Sequence, residues 1–414
     1  MKALAFSLVG IVLPLVMLLP FTSHSLMPDA LAFDTTPHSS AEITWHIEVV
    51  TSNARGNSSL ALDKSGYPHM SYEANHQDLK YAHWTDSQWL SEVVDSMSLG
   101  GTTVLALDSS ERPHIGYNVC HYMACPFKHA QWTGSEWLTQ DIDPSISGIS
   151  LSLALDADDH PHFAYCKQGV WQGLELRHTY WSGSEWTTER IEGGGCWYST
   201  SIDIDSTGHA HISYYDKNNG DLKYARWTGS TWDVYTVDSD GHVGNHNSLS
   251  LDASGHPHII YADRDNSDLK YAYWTGGGWQ IEAVETGTKE ASGTSLALDS
   301  QDQPHISYHD GTNDAVMYAY WTGEWRIETV ETGTTAVDGT SLALDSQDQP
   351  HIGYYCYSGT ASLGLKYARA DEPATLPPVP EASTLLLLGA GASALLTYVG
   401  LQVGFRRTTE RDGG

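Results

Sequence analysis

Short alternating apolar segments return along the chain with one phrase. S-L-A-L-D is followed by P-H-I-x-Y, then by L-K-Y-A-x-W-T-G, then by W-x-I-E-x-V. Each segment is apolar–polar alternating or β-branched, and Gly, Asp, Asn or Pro separates it from the next, as in strands joined by tight turns. The Asp that closes the first phrase stands at Asp63, Asp108, Asp156, Asp205, Asp252, Asp299 and Asp345, at intervals of 45, 48, 49, 47, 47 and 46 residues. Four strands in a unit of this size make a propeller blade. The fold class expected is all-β, a seven-bladed β-propeller over residues 43–370. No helical periodicity appears outside the termini.

The last unit lacks its fourth phrase: after Leu365-Lys366-Tyr367-Ala368-Arg369 the chain runs into Asp371-Glu372-Pro373. The missing phrase stands at the other end, as Thr44-Trp45-His46-Ile47-Glu48-Val49-Val50 before the first S-L-A-L-D. The N-terminal segment is therefore expected to supply the outer strand of the last blade, closing the ring and leaving no open edge between first and last blades.

The two ends read as address segments. Met1-Lys2 precede an apolar run to about Pro20, and Ala30-Leu31-Ala32 supplies small residues, so residues 1–32 read as a secretory signal peptide cleaved after Ala32. A second apolar run over 384–405 is long enough to span a bilayer, and Arg406, Arg407 and Arg411 behind it would hold the tail in the cytoplasm. Pro380-Glu381-Ala382-Ser383 stands just ahead of it, and 371–380, with Pro373, Pro377, Pro378 and Pro380, is a stiff spacer. This tripartite end over 381–411 resembles the PEP-CTERM sorting signal of Gram-negative bacteria, with Ala382 where the family usually has Pro. The resemblance implies processing by an exosortase-type enzyme, transient anchoring through the C-terminal transmembrane helix, and delivery to the cell surface or extracellular matrix. It says nothing about what the propeller does. An ordinary membrane anchor is the competing reading for each end.

Charge sharpens the picture. The chain has 21 Lys+Arg against 51 Asp+Glu, a net −30 over 414 residues. Both address segments sum to zero, so the whole excess lies in residues 33–380. Such a surface repels phosphate backbones, so no nucleic acid is expected as a partner, and anionic partners in general are disfavoured unless divalent cations bridge them.

The repeated residues read as architecture. His follows each repeated Asp by six positions, from His69 to His351, and in six units Pro precedes it. One spacing in every blade suits a structural hairpin in which Asp accepts from turn N–H groups or from the His, more than a metal ring. WD-repeat propellers use similar polar networks. Thirteen of the 15 Trp repeat with the blades and read as packing between neighbouring sheets. The S-x-D-x-G-x-T-W box of sialidases is missing, so a sialidase-like architecture brings no expectation of sialidase chemistry.

Function is sought where the repeats disagree. In a four-stranded meander the second–third loops and the blade connectors share one face, and the longer, varied loops fall there. Cys120, Cys125, Cys166, Cys196 and Cys356 all map on or near it. Cys120 with Cys125, and Cys166 with Cys196 inside one blade, are candidate disulfides in an exported chain. Trp171 and Trp197, the two Trp outside the repeat, fall on this face with Tyr198. They are candidates for an aromatic platform for glycan, against a local hydrophobic clasp. Three loops are dense in oxygen ligands: Asp216–Asp221, Asp263-Arg264-Asp265-Asn266-Ser267-Asp268 and Asp310–Asp314. Calcium is the candidate ligand, with Asp263, Asp265 and Asp268 foremost, although Asx-turns explain the same residues. His242 and His246 are read as lying in one connector and are further metal candidates. The reading that follows is an exported binding or scaffold propeller for polysaccharide or a matrix protein. Its rivals are a polysaccharide lyase or glycoside hydrolase on the same fold, and a structural spacer with no ligand.

Overall fold

The computed structural model describes residues 43–371 except 75–77, 97–101, 120–124, 144–147, 169–173, 194, 289–290 and 359–360. The expected signal peptide and sorting signal lie outside the described residues, as do Cys120 and Trp171. No helix among the described residues is long and apolar enough to cross a membrane.

The described residues form twenty-eight strands in seven four-stranded antiparallel sheets. The chain enters with β1 (Trp45–Thr51), which belongs to the last sheet. Blade 1 is β2 (Ala54–Leu62), β3 (Pro68–Ala74), β4 (Leu79–Trp84) and β5 (Trp89–Asp95). Blade 2 is β6 (Thr103–Leu107), β7 (Pro113–Asn118), β8 (Phe127–Trp132) and β9 (Trp137–Asp143). Blade 3 is β10 (Gly148–Leu155), β11 (Pro161–Gln168), β12 (Leu174–Trp181) and β13 (Trp186–Gly193). Blade 4 is β14 (Cys196–Ile204), β15 (Ala210–Asp216), β16 (Asp221–Trp227) and β17 (Trp232–Asp238). Blade 5 is β18 (Val243–Leu251), β19 (Pro257–Asp263), β20 (Asp268–Trp274) and β21 (Trp279–Glu285). Blade 6 is β22 (Ser292–Leu298), β23 (Pro304–Asp310), β24 (Ala315–Trp321) and β25 (Trp325–Thr332). Blade 7 is β26 (Thr335–Leu344), β27 (Pro350–Ser358) and β28 (Ala361–Ala370), and β1 completes it, pairing from Trp45 opposite Ala370 to Thr51 opposite Leu365. The closure read from the displaced W-x-I-E phrase is therefore the closure observed.

The first strands ring the axis, each against the first strand of its neighbours. Adjacent blades share no sheet ladder, so side chains satisfy the groups between them. The Ser of S-L-A-L accepts the main-chain N–H of the next blade: Ser59 from Leu105, Ser152 from Ile202, Ser201 from Leu249, Ser248 from Leu296, Ser295 from Leu342 and, across the closure, Ser341 from Leu60, all at 3.0–3.1 Å. Between blades 6 and 7 the inner strands come so close that a Cβ on Gly293 would stand 2.3 Å from the Gly339 Cα.

The second strands are the most buried, and each ends its apolar run on a Tyr. The phenol of Tyr117, Tyr261, Tyr308 or Tyr354 donates to the acid that ends the preceding blade (Asp95, Asp238, Glu285 or Glu331) at 2.5–2.8 Å. At the closing seam Thr51 stands where that acid would be, and Tyr72 bonds Ser91 of its own blade instead, at 2.7 Å.

The Asp–His phrase is a hairpin brace. Asp63 Oδ1 accepts from the N–H groups of Ser65 and Tyr67, both at 2.8 Å, while Oδ2 faces His69 Nε2 at 3.6 Å. A carboxylate can only accept, so Nε2 carries the proton and Nδ1 is left to accept the Tyr81 hydroxyl. Blades 4, 5, 6 and 7 repeat this with Tyr224, Tyr271, Tyr318 and Tyr367. In blades 2 and 3 the Tyr is replaced by His129 and His178, which meet His114 and His162 ring to ring at 3.1 Å.

The periodic Trp pack as expected. Each pair meets across the third turn, edge to face in four blades, as Trp84 with Trp89 at 5.7 Å, and tilted in blades 2 and 4. The second Trp then reaches back one blade: Trp89, Trp137, Trp232 and Trp325 donate to Glu48, Glu92, Glu189 and Glu282 at 3.0–3.2 Å. The Glu of W-x-I-E is thus an inter-blade acceptor, a role the sequence pattern did not disclose.

Candidate functional site

A cavity of 610 Å³ opens at the axis on the face of the second–third loops and connectors. Its floor comes from inner strands, with Asn57, Ser150 and Gly293 of blades 1, 3 and 6. One side is chemically distinct. Trp197 rises from β14, Tyr215 is the penultimate residue of β15, Lys217 follows that strand, Asn245 and His246 lie on β18, and Arg264 follows β19. A second hollow of 400 Å³ adjoins over blades 5 and 6 and shares His246 and Arg264.

The electrostatics reverse the expectation drawn from net charge. Among the described lining residues of the axial cavity are two cations, Lys217 and Arg264, and no carboxylate. Both are exposed, and neither has an ion-pair partner among the described residues. Lys217 Nζ lies 3.4 Å from the Trp197 ring centroid, a cation–π contact that holds charge and aromatic face together. Burial raises the Tyr215 phenol above its ordinary pKa, and Arg264 opposes that shift. A chain of −30 therefore presents a cationic, aromatic mouth at its axis.

The expected site residues are partly brought together. Trp197 and His246 share the cavity. Trp197 is not on a loop: it is half-buried on β14 and packs against the cluster around Ile212 and Tyr214. Trp171 lies outside the described residues, and so does the Tyr198 side chain. His246 belongs to β18 rather than to a connector, while His242 precedes that strand, exposed, and bonds Asp265 at 3.0 Å. That ring holds the Asp265 carboxyl below its usual range.

The oxygen-rich loops close on themselves. Asp263 accepts from the Asn266 N–H and side-chain amide at 3.0 and 2.8 Å and pairs with Lys270 at 2.7 Å. Asp216 and Asp310 hold Asn219 and Asn313 in the same way. Asp268 accepts the Gly287 N–H at 3.1 Å. The local bonds of Asp216, Asp263 and Asp310 are Asx-turn bonds, and among the described residues no group of three or more His, Cys, Asp or Glu is placed to hold a metal ion. The calcium candidates thus do not converge: Asp263 serves its own loop, while Asp265 and Asp268 bond the connectors before and after blade 5. Lys217 and Arg264 sit inside two of these same loops, each directly after the Asp that ends a second strand. That register position was the available signal, and it is Gly311 in the third loop.

Cys166 and Cys196 form a disulfide, but not inside one blade: Cys166 is on β11 of blade 3 and Cys196 opens β14 of blade 4. The bond spans 30 residues, is buried, and staples two blades beside Trp197. Cys125 is also disulfide-bonded, while its expected partner Cys120 lies outside the described residues. Cys356 is a free buried thiol whose pKa burial pushes up to about 11, so it is inert at neutral pH. Closing a loop of this size stabilises by about 3–4 kcal/mol on chain-entropy grounds. Cys196→Ser, or added reductant, is expected to lower the melting temperature by several degrees. Identical melting curves with and without reductant would show that the staple contributes nothing.

No family model and no curated protein matches the sequence. Solved structures match the fold. A PL25 ulvan lyase bound to -[GlcA(1-4)Rha3S]- aligns with a TM-score of 0.55 at 13% identity, over 77% of this chain and 94% of its own. The polysaccharide lyase Uly1 aligns at 0.52 and 10% identity, over 77% and 90%. A lectin of Aleuria aurantia aligns at 0.49 and 12% identity, over 69% and 99%. At such identities the likeness is one of fold alone.

Proposed function

We propose that the propeller is an exported binding module for acidic polysaccharide, held at the axial mouth. The observation that carries this reading is the pairing of two uncompensated cations with an aromatic face in a cavity that has no carboxylate among its described lining residues. Guanidinium and ammonium groups recognise carboxylate or sulfate, and the Trp197 ring under Lys217 holds that ammonium at the mouth. The sequence features of export and a disulfide both suit a chain that works outside the cytoplasm. The aligned PL25 enzyme is bound to an acidic glycan, which accords with this ligand class. Surface or matrix delivery by an exosortase-type route belongs to the same proposal and rests on the C-terminal motif alone.

Calorimetric titration with a uronate-rich sulfated polysaccharide tests the reading. Binding is expected at low salt and weakens as salt rises. Lys217→Ala and Arg264→Ala are each expected to weaken it roughly tenfold, the worth of one charged hydrogen bond. Equal affinity for a neutral polysaccharide, or an unchanged double variant, would sink it.

One observation favours a second reading, a lyase. The cavity also holds a Tyr and a His beside Arg264. Proton abstraction next to a uronate carboxylate needs a base, an acid and a cation to neutralise that carboxylate. Incubation with the polymer would produce unsaturated uronate absorbance, lost in Tyr215→Phe and His246→Ala. No absorbance rise under saturating binding leaves a binding module.

A further inference from the structure

The opposite face carries a second pattern. The residue that precedes the final Trp of the third strand varies by blade: His83, Gln131, Tyr180, Arg226, Tyr273 and Tyr320, with Arg369 at the same register in blade 7. Where it is Tyr, the ring lies flat on the buried His of the second strand: Tyr180 on His162, Tyr273 on His258 and Tyr320 on His305, at 5.4–6.1 Å. His83 lies on His69 in the same way at 5.9 Å. Blades 4 and 7 carry Arg instead, and a cavity stands at the seam each of them makes with the next blade.

The two cavities correspond residue by residue. At the seam of blades 7 and 1, Arg369 and Glu48 face Tyr67 and Trp84. At the seam of blades 4 and 5, Arg226 and Tyr235 face His256 and Trp274. The first is 360 Å³ and the second 130 Å³. Two substitutions account for the difference. Tyr235 stacks on Tyr224 at 6.1 Å where the other seam has Glu48, and blade 7 ends its third strand on Ala370, where the other blades have a Trp.

The larger cleft has the groups that recognise an uncharged sugar ring. Trp84 offers a half-buried indole face. Arg369 is exposed, with no ion-pair partner among the described residues, and brings a fork of donors. Asp86, exposed, accepts the Tyr67 hydroxyl through Oδ1 and keeps a second carboxylate oxygen as an acceptor. A donor and an acceptor in one cleft with an aromatic face suit vicinal hydroxyls on a pyranose. Glu48, Asp86 and Asp345 outnumber the one Arg in the lining, which disfavours a uronate or sulfated unit.

We propose that the seam between blades 7 and 1 is a second glycan site, for one neutral hexopyranose unit, on the face opposite the cationic mouth. It is independent of the axial site. Glu48 comes from β1, so the site exists only in the closed ring, and ligand binding tightens the closure.

The test is saturation-transfer NMR and calorimetry on the intact protein with methyl glycosides of glucose, galactose and mannose. At least one is expected to bind with a millimolar dissociation constant and to raise the melting temperature. Arg369→Ala and Trp84→Ala should each weaken it roughly tenfold. The Lys217→Ala/Arg264→Ala double variant should bind it unchanged, which separates this site from the axial one. Arg369 is exposed, so its variant remains informative should Trp84→Ala fail to fold. Absence of binding by all three glycosides, or binding indifferent to Arg369→Ala, overturns the proposal.

Discussion

Deletion of residues 43–51 is expected to destabilise the whole propeller, not only its last blade. The segment carries β1, which is the outer strand of blade 7. Trp45 and Ile47 pack on the cluster of Ile352, Tyr354 and Ala368, and Trp45 meets Tyr318 of blade 6 edge to face at 5.3 Å. Glu48 accepts the Trp89 indole of blade 1 at 3.2 Å. One strand therefore touches three blades. Loss of two or three large part-buried side chains costs roughly 3–6 kcal/mol, comparable with the ~5–15 kcal/mol that holds a typical domain folded. It also leaves β28 as an open edge, ready to pair with another chain. The truncated protein should melt far below the intact one and associate in size-exclusion runs. A synthetic peptide of residues 43–51 added in trans should restore both by strand addition. A truncated protein that stays monomeric and melts within ~2 °C of the intact one would contradict the closure as a source of stability.

Mild acid is the second large effect. The His of every blade's brace has its pKa lowered, in each case by burial first. Blades 2 and 3 go furthest, because a second imidazole replaces the Tyr: burial and then His114 press His129 to about 3, and burial and then His178 press His162 to about 4. A base whose folded pKa is depressed stays neutral in the folded chain while the unfolded chain takes up its proton. Its contribution is complete above the unfolded pKa near 6.5 and is lost as pH falls from there toward the folded value. For His129 and His162 that loss is roughly 2–3 kcal/mol each over the two pH units below 6.5. His129 and His162 alone account for roughly 5 kcal/mol by pH 4.5. Melting temperature should fall steeply from pH 7 to 4.5. Restoring the Tyr of the other blades with His129→Tyr and His178→Tyr should make that slope shallower. A double variant with the wild-type slope would show that the paired imidazoles are not its source.

The architecture was legible because a propeller is a repeat. Each blade sees the same neighbours, so the same residues recur, and the displaced W-x-I-E segment announced closure by its absence at Asp371. The Asp–His phrase and the thirteen periodic Trp could be assigned to packing for the same reason. Their partners could not. That the brace ends on a Tyr hydroxyl depends on the register of two strands within a blade, and that Trp89 reaches Glu48 depends on a contact between blades, which has no fixed separation in sequence across the closure.

The functional face was read with less success, for a physical reason. Trp197 stands out in the sequence as a Trp outside the repeat and His246 as a metal candidate, and the two share a cavity. Lys217 and Arg264 do not stand out in the sequence, because they lie among Asp and Asn whose oxygens resemble a ligand set. Once folded, Asp216 and Asp263 turn inward to bond their own loops and the two cations that follow them are left exposed at the mouth. Cys166 and Cys196 were paired correctly but placed in one blade, since a count of phrases does not show that Cys196 already begins the next inner strand.

The sequence by itself determined the number of blades, the strand that closes them and the location of the acidic excess, because each follows from spacing along one chain. Only the tertiary structure decided the local sign of charge at the axis and which seams stay open. Both arise where side chains from blades far apart in sequence converge, and there a single Arg in place of a Tyr, or an Asp turned into its own loop, changes what the surface can bind.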